Sequence, residues 1–531
     1  MYFFFLKQKV PLLKESHQSK ITMINDNSVV PRDAAPRSLW PDTVQEHTKK
    51  ASPRWFIPTL ILGMILTIGL VLGLRHNSGV SRNSNDNPEL DELFGSCSVE
   101  DVLFQCSADI TGLDPTIPAC IADCYNDYRE NWVLTVDPNF EHDISVCAPA
   151  NKALMVVACY AQNHNILTET ELKTIYGLAN FYFSLKGESW LRRESWLSEN
   201  PVEEWLGVEV NNDGEVVSIK LPNNLVGGAL LPFPALDSLK RIDLSQNYIC
   251  GSLPEDLGNL EVLQLENNKF TGTIPVGWTK STDLRILRLG SNYLNGNVPS
   301  EVGEMEQLEE LSISTNDLVS TIPSEIGACA SLQVLDMSYN RFKGTIPREV
   351  GKLKLLEYLD LSSNSFDEGV LPAELFELAS LESLYLSACK LTGTVPTAIG
   401  HVHNLTYLEL SSNKLYGALP SEIGLLWSMT HLNFGFNGLN GTIPSELGKL
   451  TAVEQIDLSS NEFTGILPTE MGLLLKLETF LFSGNHLNRP IPDEICSLWE
   501  RGDLKTTSCR SNIFEGPTCP YPECCRNCIQ D

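Results

Sequence analysis

The cysteines are the residues of this chain with the widest range of possible chemistry, because thiols can act as nucleophiles, metal ligands or disulfide partners. All fifteen lie from Cys97 onward. Two sets of six flank a set of three, so each even set can close internally in an oxidising compartment, and the odd thiol belongs to the middle set. In chain order the sets are Cys97, Cys106, Cys120, Cys124, Cys147 and Cys159; Cys250, Cys329 and Cys389; and Cys496, Cys509, Cys519, Cys524, Cys525 and Cys528.

Two other groups of residues could form sites. The run "CPYPECCRNC" at residues 519–528 could hold zinc, but in an oxidising compartment disulfides are favoured. The histidines His401, His403 and His431 could suggest a metal, yet the first two are predicted on a convex stretch and the third on a strand. We therefore predict no metal and no other cofactor.

Recognised catalytic motifs are absent from the sequence, which contains no G-x-S-x-G, HExxH, P-loop or protein-kinase signature. The chain is predicted not to be an enzyme. The tripeptide Arg501–Gly502–Asp503 matches an integrin-binding motif, and we interpret it as a chance match, although a loop between Cys496 and Cys509 could display it.

The charge and one apolar segment limit the class of protein. A net charge of −29 argues against a partner made of nucleic acid. Residues 55–74, "WFIPTLILGMILTIGLVLGL", carry no charge and are long enough to cross about 30 Å of hydrocarbon as a helix. Basic residues Lys49, Lys50 and Arg54 precede this segment, and an acidic stretch follows it, which predicts a single-pass type II protein with residues 1–54 in the cytoplasm.

A repeat of the pattern L-x-L-x-x-N occupies the second half of the chain, mostly with a period of 24 residues. Such a period predicts a solenoid in which each coil buries its apolar face against its neighbours. The leucines predict a short strand, and the asparagine predicts a buried amide that bonds the backbone of adjoining coils. The asparagine position recurs at Asn224, Asn247, Asn268, Asn292, Asn316, Asn340, Asn364, Cys389, Asn413, Asn437, Asn461 and Asn485.

Cys389, in "LESLYLSACKLTGTVP", replaces one of these asparagines. Its thiol is small, tolerates burial and can donate weakly, and nothing near it in the sequence would lower its pKa. We predict an inert member of the asparagine series rather than a reactive thiol. Cys250 and Cys329 lie more than three coils apart, too far for a disulfide.

The longer pattern L-x-x-L-x-L-x-x-N-x-L-x-G-x-I-P, seen in "MTHLNFGFNGLNGTIPSELGKL", resembles the plant-type leucine-rich repeat. The resemblance implies an α/β repeat solenoid with a parallel β-sheet on its concave face, a second short sheet and a superhelical twist. "LKTIYGLANFYFSLKGESW" resembles the N-terminal cap of that family, and the cysteine pattern resembles a group of membrane-anchored, diatom-like proteins without a kinase. The chain divides into 1–54, cytoplasmic tail; 55–74, transmembrane helix; 75–96, linker; 97–165, cysteine-bearing segment; 166–215, N-terminal cap; 216–495, repeats; and 496–531, cysteine-rich C-terminal cap.

Side chains that point outward from the strands are the candidate ligand-binding residues. Aromatic side chains exposed on adjoining coils are candidate anchors for a partner, and the alternative is an ordinary cross-strand ladder in which each ring covers its neighbour. The candidates are Tyr339, Tyr358, Tyr385, Tyr407, His431, Phe436, Asp336, Asp360, Glu409 and Asp457. Two sequons predict glycosylation at Asn404 and Asn440.

These features predict a membrane-anchored protein that binds a protein, peptide or glycan ligand, as a receptor-like or co-receptor component with a signalling partner. Its predicted location is the plasma membrane, with the repeats outside the cell. The alternative is a structural or adhesion protein, or an inhibitor of an extracellular hydrolase. An enzyme is the least favoured reading.

Overall fold

The computed structural model describes residues 133, 148–163, 168–198, 200–233, 235–488, 491–508, 510 and 512, all within one unit, Ser84–Asp531. The predicted tail 1–54, transmembrane segment 55–74 and linker 75–96 lie outside the described residues, as do most of segment 97–165 and residues 513–531. In the described ranges, no helix combines the length and the apolar character needed to cross a membrane.

Two helices precede the repeats: α1 (Pro149–Asn163) and α2 (Glu169–Ser184) pack against each other. Helix α2 begins with a capping box, in which the hydroxyl of Thr168 accepts from the Glu171 backbone and the Glu171 carboxylate accepts from the Thr168 backbone. Its apolar stripe, made of Leu172, Ile175, Leu178, Ala179 and Tyr182, is buried on its inner face.

Three tryptophans close the N-terminal end of the core. Trp190 and Trp196 meet edge to face with ring centroids 4.9 Å apart, and Trp196 lies 5.4 Å from Trp205. Each buried indole donates to a backbone carbonyl, that of Leu185, Leu206 or Asn200, so burial leaves no indole N–H without an acceptor.

The main sheet follows from the repeated leucines. In the strands from Arg241–Asp243 to Thr479–Leu481 the central residue is buried while its two neighbours point out of the sheet. Register is kept from coil to coil, so Leu359 lies opposite both Leu335 and Leu384. Among the described residues fourteen strands form this sheet, with antiparallel pairing between the first two and parallel pairing elsewhere. They are Val208–Val210, Val216–Lys220, Arg241–Asp243, Val262–Gln264, Ile286–Arg288, Glu310–Ser312, Val334–Asp336, Tyr358–Asp360, Ser383–Tyr385, Tyr407–Glu409, His431–Asn433, Gln455–Asp457, Thr479–Leu481 and Thr506–Ser508.

The asparagine series forms a continuous hydrogen-bonded ladder beside this sheet. In a typical rung, the Asn340 amide nitrogen donates to the Ile313 carbonyl (2.9 Å) in the preceding coil, and its oxygen accepts from the Leu318 N–H (3.1 Å). Each rung thus satisfies backbone groups that would cost about 1–3 kcal/mol if they were buried without partners. Asn512 adds a rung beyond the predicted end of the repeats at residue 495, and strand Thr506–Ser508 extends the sheet there.

Cys389 takes the predicted place in the ladder. Its thiol is fully buried and donates to the carbonyl oxygens of Leu361 (3.2 Å) and Ser387 (3.4 Å), while the Asn413 side chain accepts from its backbone N–H (3.0 Å). Burial, with a smaller effect of nearby Asp360, raises the thiol pKa well above its ordinary value. The predicted place of this thiol in the ladder is confirmed, and its lack of reactivity stays a prediction.

A second set of short strands, most of which begin directly after a ladder asparagine, forms a further sheet, as the resemblance implied. Within the described part of the chain it is split into a four-stranded and a six-stranded piece, and an isolated bridge between Thr321 and Lys343 lies in the interval between them. The strands are Cys250–Ser252, Lys269–Gly272, Tyr293–Gly296 and Asp317–Leu318, then Gly369–Val370, Leu391–Gly393, Lys414–Gly417, Gly438–Thr442, Glu462–Gly465 and His486–Leu487.

Short 3₁₀ turns, most of them beginning directly after the proline of the G-x-I-P segment, complete each coil and carry it back to the main sheet. Proline suits the residue that precedes such a turn because its φ is restricted to values near −65°. They are Gly187–Ser189, Val202–Glu204, Val276–Lys280, Ser300–Glu304, Ser324–Ala328, Arg348–Lys352, Ala373–Glu377, Thr397–His401, Ser421–Leu425, Ser445–Lys449 and Thr469–Leu473.

Helix α3 (Asp493–Glu500) follows the last repeat, and the Arg501–Gly502–Asp503 tripeptide ends it. Gly502 has φ +79°, its N–H donates to Trp499, and the Asp503 N–H donates to Leu498, which is the Schellman pattern of a helix C-terminus. The Arg501 guanidinium pairs with the Asp503 carboxylate at 3.0 Å. The tripeptide therefore has a local structural role, in line with the interpretation that its match to a binding motif is fortuitous.

Candidate ligand-binding surface

Four aromatic side chains line the outward face of consecutive strands in the main sheet; we call Tyr358, Tyr385, Tyr407 and His431 the aromatic ladder. Their ring centroids follow one another at 5.5, 6.4 and 4.4 Å, and the last pair is stacked with only 14° between the ring planes. The rings project outward because each strand buries its central leucine, namely Leu359, Leu384, Leu408 and Leu432. Both sequence-based interpretations apply. The rings cover one another, as in a cross-strand ladder, and Tyr407 still exposes 37% of its surface, as a ligand anchor requires.

Carboxylates border the aromatic ladder at the third position of four strands, as Asp336, Asp360, Glu409 and Asp457. Asp336 lies opposite Asp360, and both also accept hydrogen bonds from the backbone N–H two residues later, at Ser338 and Ser362. Glu409 accepts in the same way from Ser411 and also from the Asn433 amide. These bonds stabilise the bend after each strand, so the acidic residues have a structural role whether or not a ligand binds.

Burial changes the acidity of this region. It raises the pKa of Asp360 to about 7, with a further contribution from neighbouring Asp336, and it also raises the pKa of Glu409. Burial and the nearby Asp360 and Asp336 carboxylates raise the pKa of Tyr358, and burial, followed by the effect of Tyr407, raises that of Tyr385 to about 12. The middle of the sheet is therefore a partly desolvated surface, and burial there destabilises the ionised form of a carboxyl group.

Two candidates, Tyr339 and Phe436, do not lie on the strands, and that part of the prediction is wrong. Their strands end at Asp336 and Asn433, and each residue occupies the left-handed position directly before a ladder asparagine, with φ of 51° and 57°. Every coil from Gln246 to Ser460 has a non-glycine residue in this conformation. Tyr339 and Phe436 are 56% and 44% exposed, at the edge of the sheet rather than on its face.

The histidines occur on different layers. His431 belongs to the aromatic ladder, whereas His403 stacks on the exposed Trp427, with ring centroids 4.3 Å apart, beyond the end of a 3₁₀ turn. His401 ends that turn. In the described ranges, His, Cys, Asp and Glu side chains form no group of three or more suited to a metal ion. The two sequon asparagines are both exposed: the Asn404 amide donates to the Ala379 carbonyl, and Asn440 lies in the second sheet.

A charged group on earlier strands was missed by the sequence interpretation. Arg288 makes two hydrogen bonds to the carboxylate of Glu310, at 2.7 and 2.9 Å, and Glu310 is only 8% exposed. Nearby Glu266 has one buried carboxylate oxygen without a hydrogen-bond partner, and burial raises its pKa to about 7. Opposite charges at outward positions of adjacent strands, in a diagonal arrangement 22 residues apart, were the available signal.

Comparisons with known proteins agree with this architecture. The leucine-rich repeat family matches residues 306–366, and its single-repeat form matches residues 238–260, 259–280, 355–378, 380–402, 404–426, 428–450 and 476–498. The leucine-rich repeat receptor-like serine/threonine-protein kinase RGI4 of Arabidopsis thaliana is 36% identical over 96 residues, which cover 17% of this chain and 8% of the kinase.

Solved structures give a broader match. The ectodomain of the Arabidopsis receptor kinase HAESA, in complex with an N-terminally extended IDA peptide hormone, is 30% identical with a TM-score of 0.56, and the match covers 61% of this chain and 55% of that one. HAESA in complex with IDA and the co-receptor SERK1 is 26% identical with a TM-score of 0.54, and the match covers 62% and 63%.

This chain thus spans less than two thirds of these ectodomains and less than a tenth of the curated kinase. The family matches, the strand order and the solved neighbours agree with one another. The repeat domain of this protein is a leucine-rich repeat solenoid, similar in fold to the ectodomains of plant receptor kinases.

Proposed function

We propose that this protein is a membrane-anchored, receptor-like protein whose repeats bind a peptide or protein ligand on the concave sheet. The observation that carries the proposal is the aromatic ladder, which places four rings on the outward face of consecutive strands. Rigid aromatic side chains contribute much of the binding energy at protein interfaces. HAESA, a relative in fold, has been solved with a peptide hormone bound.

The anchor in this proposal is segment 55–74, with residues 1–54 in the cytoplasm and the repeats outside the plasma membrane. The basic flank before Trp55 and the placement of all cysteines from Cys97 onward support this orientation. Cys496 is disulfide-bonded, as expected of a cap in an oxidising compartment. Glycans on Asn404 and Asn440 belong to the same proposal.

A separate signalling subunit completes the proposal. The sequence has no kinase signature, and we place the chain in the kinase-less, diatom-like group of receptor-like proteins. HAESA has been solved together with the co-receptor SERK1. By analogy, a membrane co-receptor would convert ligand binding at the repeats into an intracellular signal.

An adhesive function that uses a glycan ligand is the second candidate, and inhibition of an extracellular hydrolase is a variant of it. The exposed part of Tyr407 supports this alternative, because an accessible aromatic ring can also pack against the apolar face of a sugar. In that case an isolated polysaccharide, rather than a peptide, would compete for the aromatic ladder.

A peptide-display library selected on the purified full chain tests the main proposal. Selected peptides should bind the parent and the Tyr416→Ala variant equally, and should bind Tyr407→Ala at least tenfold more weakly. Tyr416 is a matched control because it is an exposed tyrosine, 56% accessible, on the second sheet. Failure to enrich any peptide, or an equal effect of the two substitutions, would refute the proposed peptide site.

Protease protection tests the proposed orientation. Protease added to intact cells should cut the repeats and leave residues 1–54 protected, and Asn404→Gln and Asn440→Gln should each remove one glycan from the chain. Cleavage of residues 1–54 with the repeats intact would reverse the topology.

A further inference from the structure

We propose that the ligand is an extended peptide with basic side chains, which lies along the aromatic ladder and places those side chains between the carboxylates that flank it. The inference rests on the proposed function and specifies its ligand class. It comes from the distribution of charge over the concave sheet, which differs sharply between neighbouring coils.

The six strand segments from residue 333 to residue 461 contain no lysine or arginine. They are 333–340, 357–364, 382–389, 406–413, 430–437 and 454–461. The same segments carry seven carboxylates: Asp336, Glu357, Asp360, Glu382, Glu409, Glu454 and Asp457. In the part of the chain that the structure describes, no lysine or arginine forms an ion pair with any of them.

An acidic protein has many solvated carboxylates, so their number alone would not indicate a partner. Here, however, Asp360 and Glu409 are half-buried beside aromatic rings, and burial raises the pKa of both. Elsewhere on the sheet several charged side chains at or beside the strands are paired across coils, as in Arg288–Glu310 and Lys505–Glu478. The middle strands hold desolvated negative charge without the cation that would compensate it.

A basic side chain of a ligand can interact with both the carboxylates and the aromatic rings of this surface. Its charge compensates the carboxylates, and its planar guanidinium or its ammonium group can also lie against the face of an aromatic ring. Tyr407 is the ladder tyrosine that a ligand can reach most easily, with 37% of its surface exposed, although its ring lies between those of Tyr385 and His431. An acidic ligand would instead add like charge to carboxylates that are already held at a cost.

The spacing of the carboxylates favours an extended chain. Asp360, Glu409 and Asp457 share the third strand position on alternate coils, and Tyr385 and Asn433 occupy the coils between them. With about 4.8 Å between strands, alternate coils are about 10 Å apart. A polyproline II peptide repeats its side-chain direction every three residues, or about 9.3 Å. Basic residues three apart in such a peptide match alternate coils.

Two nine-residue probe peptides test the inference by fluorescence polarisation with the full chain. One carries arginine at positions 1, 4 and 7 with proline and alanine elsewhere, and the other carries glutamate at those three positions. The arginine peptide should bind at least tenfold more tightly. The variant Glu409→Gln with Asp457→Asn should lower its affinity at least tenfold, because the amides keep an oxygen acceptor for the bends but remove two charges.

A charge-matched control excludes simple attraction to an acidic protein. The variant Glu304→Gln with Glu470→Gln removes two exposed carboxylates from 3₁₀ turns and should bind the arginine peptide as the parent does. Equal binding of both peptides, or an equal effect of the two double variants, would overturn the inference. If neither probe binds while a library-selected peptide depends on Tyr407, the basic ligand class is wrong and the proposed function stands. If no library peptide depends on Tyr407 either, both fail.

Discussion

Two regions of the main sheet differ in how their outward-facing charged side chains are paired. The N-terminal strands, from Arg241–Asp243 to Glu310–Ser312, pair charges across coils: Lys240 with Glu261, Arg285 with Glu309, and Arg288 with Glu310. Among the middle strands, from Val334–Asp336 to Gln455–Asp457, four stack aromatic rings. In the described part of the chain the carboxylates of these strands form no ion pair with lysine or arginine. Backbone register is the same in both regions.

The difference shows that the backbone of the repeat does not determine what its outward face can do. Cross-strand pairs set the character of that face. In the N-terminal strands these pairs are satisfied within the protein, so a ligand would have to displace existing partners. In the middle strands the unmet charge and the exposed part of the ladder remain available to a ligand.

The largest effect is expected from breaking the Arg288–Glu310 pair. Arg288→Met leaves Glu310 buried beside Glu266 without its cation, and removal of one partner of a buried pair costs about 3–5 kcal/mol. Native-state hydrogen exchange at strand Ile286–Arg288 measures the loss as a lower opening free energy. The double variant Arg288→Met with Glu310→Met should recover most of it. Unchanged exchange in the single variant would show that the pair is solvated and that the two regions do not differ in this respect.

Within the aromatic ladder, a substitution at an exposed ring should mainly lower ligand affinity, and one at a packed ring should mainly lower stability. Tyr407→Ala removes the most exposed of its tyrosines and should weaken ligand binding by about 2 kcal/mol. Tyr358→Ala removes a ring that is packed against Tyr385 and hydrogen-bonded to Asp360, and should mainly lower stability. Affinity for a library-selected peptide and thermal unfolding measure the two effects. Lys352→Ala and Lys449→Ala, in 3₁₀ turns, should change neither. If Tyr407→Ala and Tyr358→Ala lose the same stability and both keep the affinity of the parent, the aromatic ladder has only a structural role.

The rungs beside the two regions should differ in strength. Cys389→Leu, in the middle region, removes a thiol donor and should cost about 1–3 kcal/mol, whereas Cys389→Asn should leave stability unchanged or raise it. Asn292→Leu, in the N-terminal region, removes an amide that donates to the Leu265 and Leu289 carbonyls and should cost more. Thermal unfolding of the three variants measures the order of their stability losses. A loss of ligand binding in folded Cys389→Asn would mean that the thiol has a chemical role after all.

The smallest effect is expected from pH near neutrality. The native pKa of Asp360 is about 7, above its ordinary value of 3.8, so the folded protein binds this proton more tightly than the unfolded chain does. Its contribution to stability therefore falls as pH rises, by about 1 kcal/mol between pH 6 and pH 8. Asp360→Asn should remove this part of the slope, and Glu266→Gln should remove a similar part arising from the N-terminal strands. An opposite slope would show that both carboxylates ionise readily in the folded state.

Much of the fold was predictable because each repeat obeys short-range rules. The positions of Leu359 and Leu384, the ladder place of Cys389 and the helix that presents Leu172 and Tyr182 all follow from spacing, since a strand alternates its side chains and a helix repeats every 3.6 residues. The identity of the ladder rings also followed from spacing, because the register between coils equals the period of the sequence. Their role as ligand anchors stays a prediction.

Other features depended on tertiary structure. Tyr339 and Phe436 were assigned to the strands, but the rung asparagine that follows each of them forces a left-handed bend which an apolar pattern does not encode. Strand Thr506–Ser508 and rung Asn512 lie in "KTTSCRSN", which has lost the leucines and joins the sheet only because the preceding coil offers a free edge.

The sequence by itself thus determined the period, the core and the rungs of this solenoid, because these features arise from contacts between one coil and the next, equivalent coil. Only the tertiary structure decided which charges are buried, how far Asp360 and Glu266 shift in pKa, and how much of Tyr407 stays exposed. The physical reason is that desolvation depends on every side chain around a group, whereas a repeat pattern records only its place along the chain.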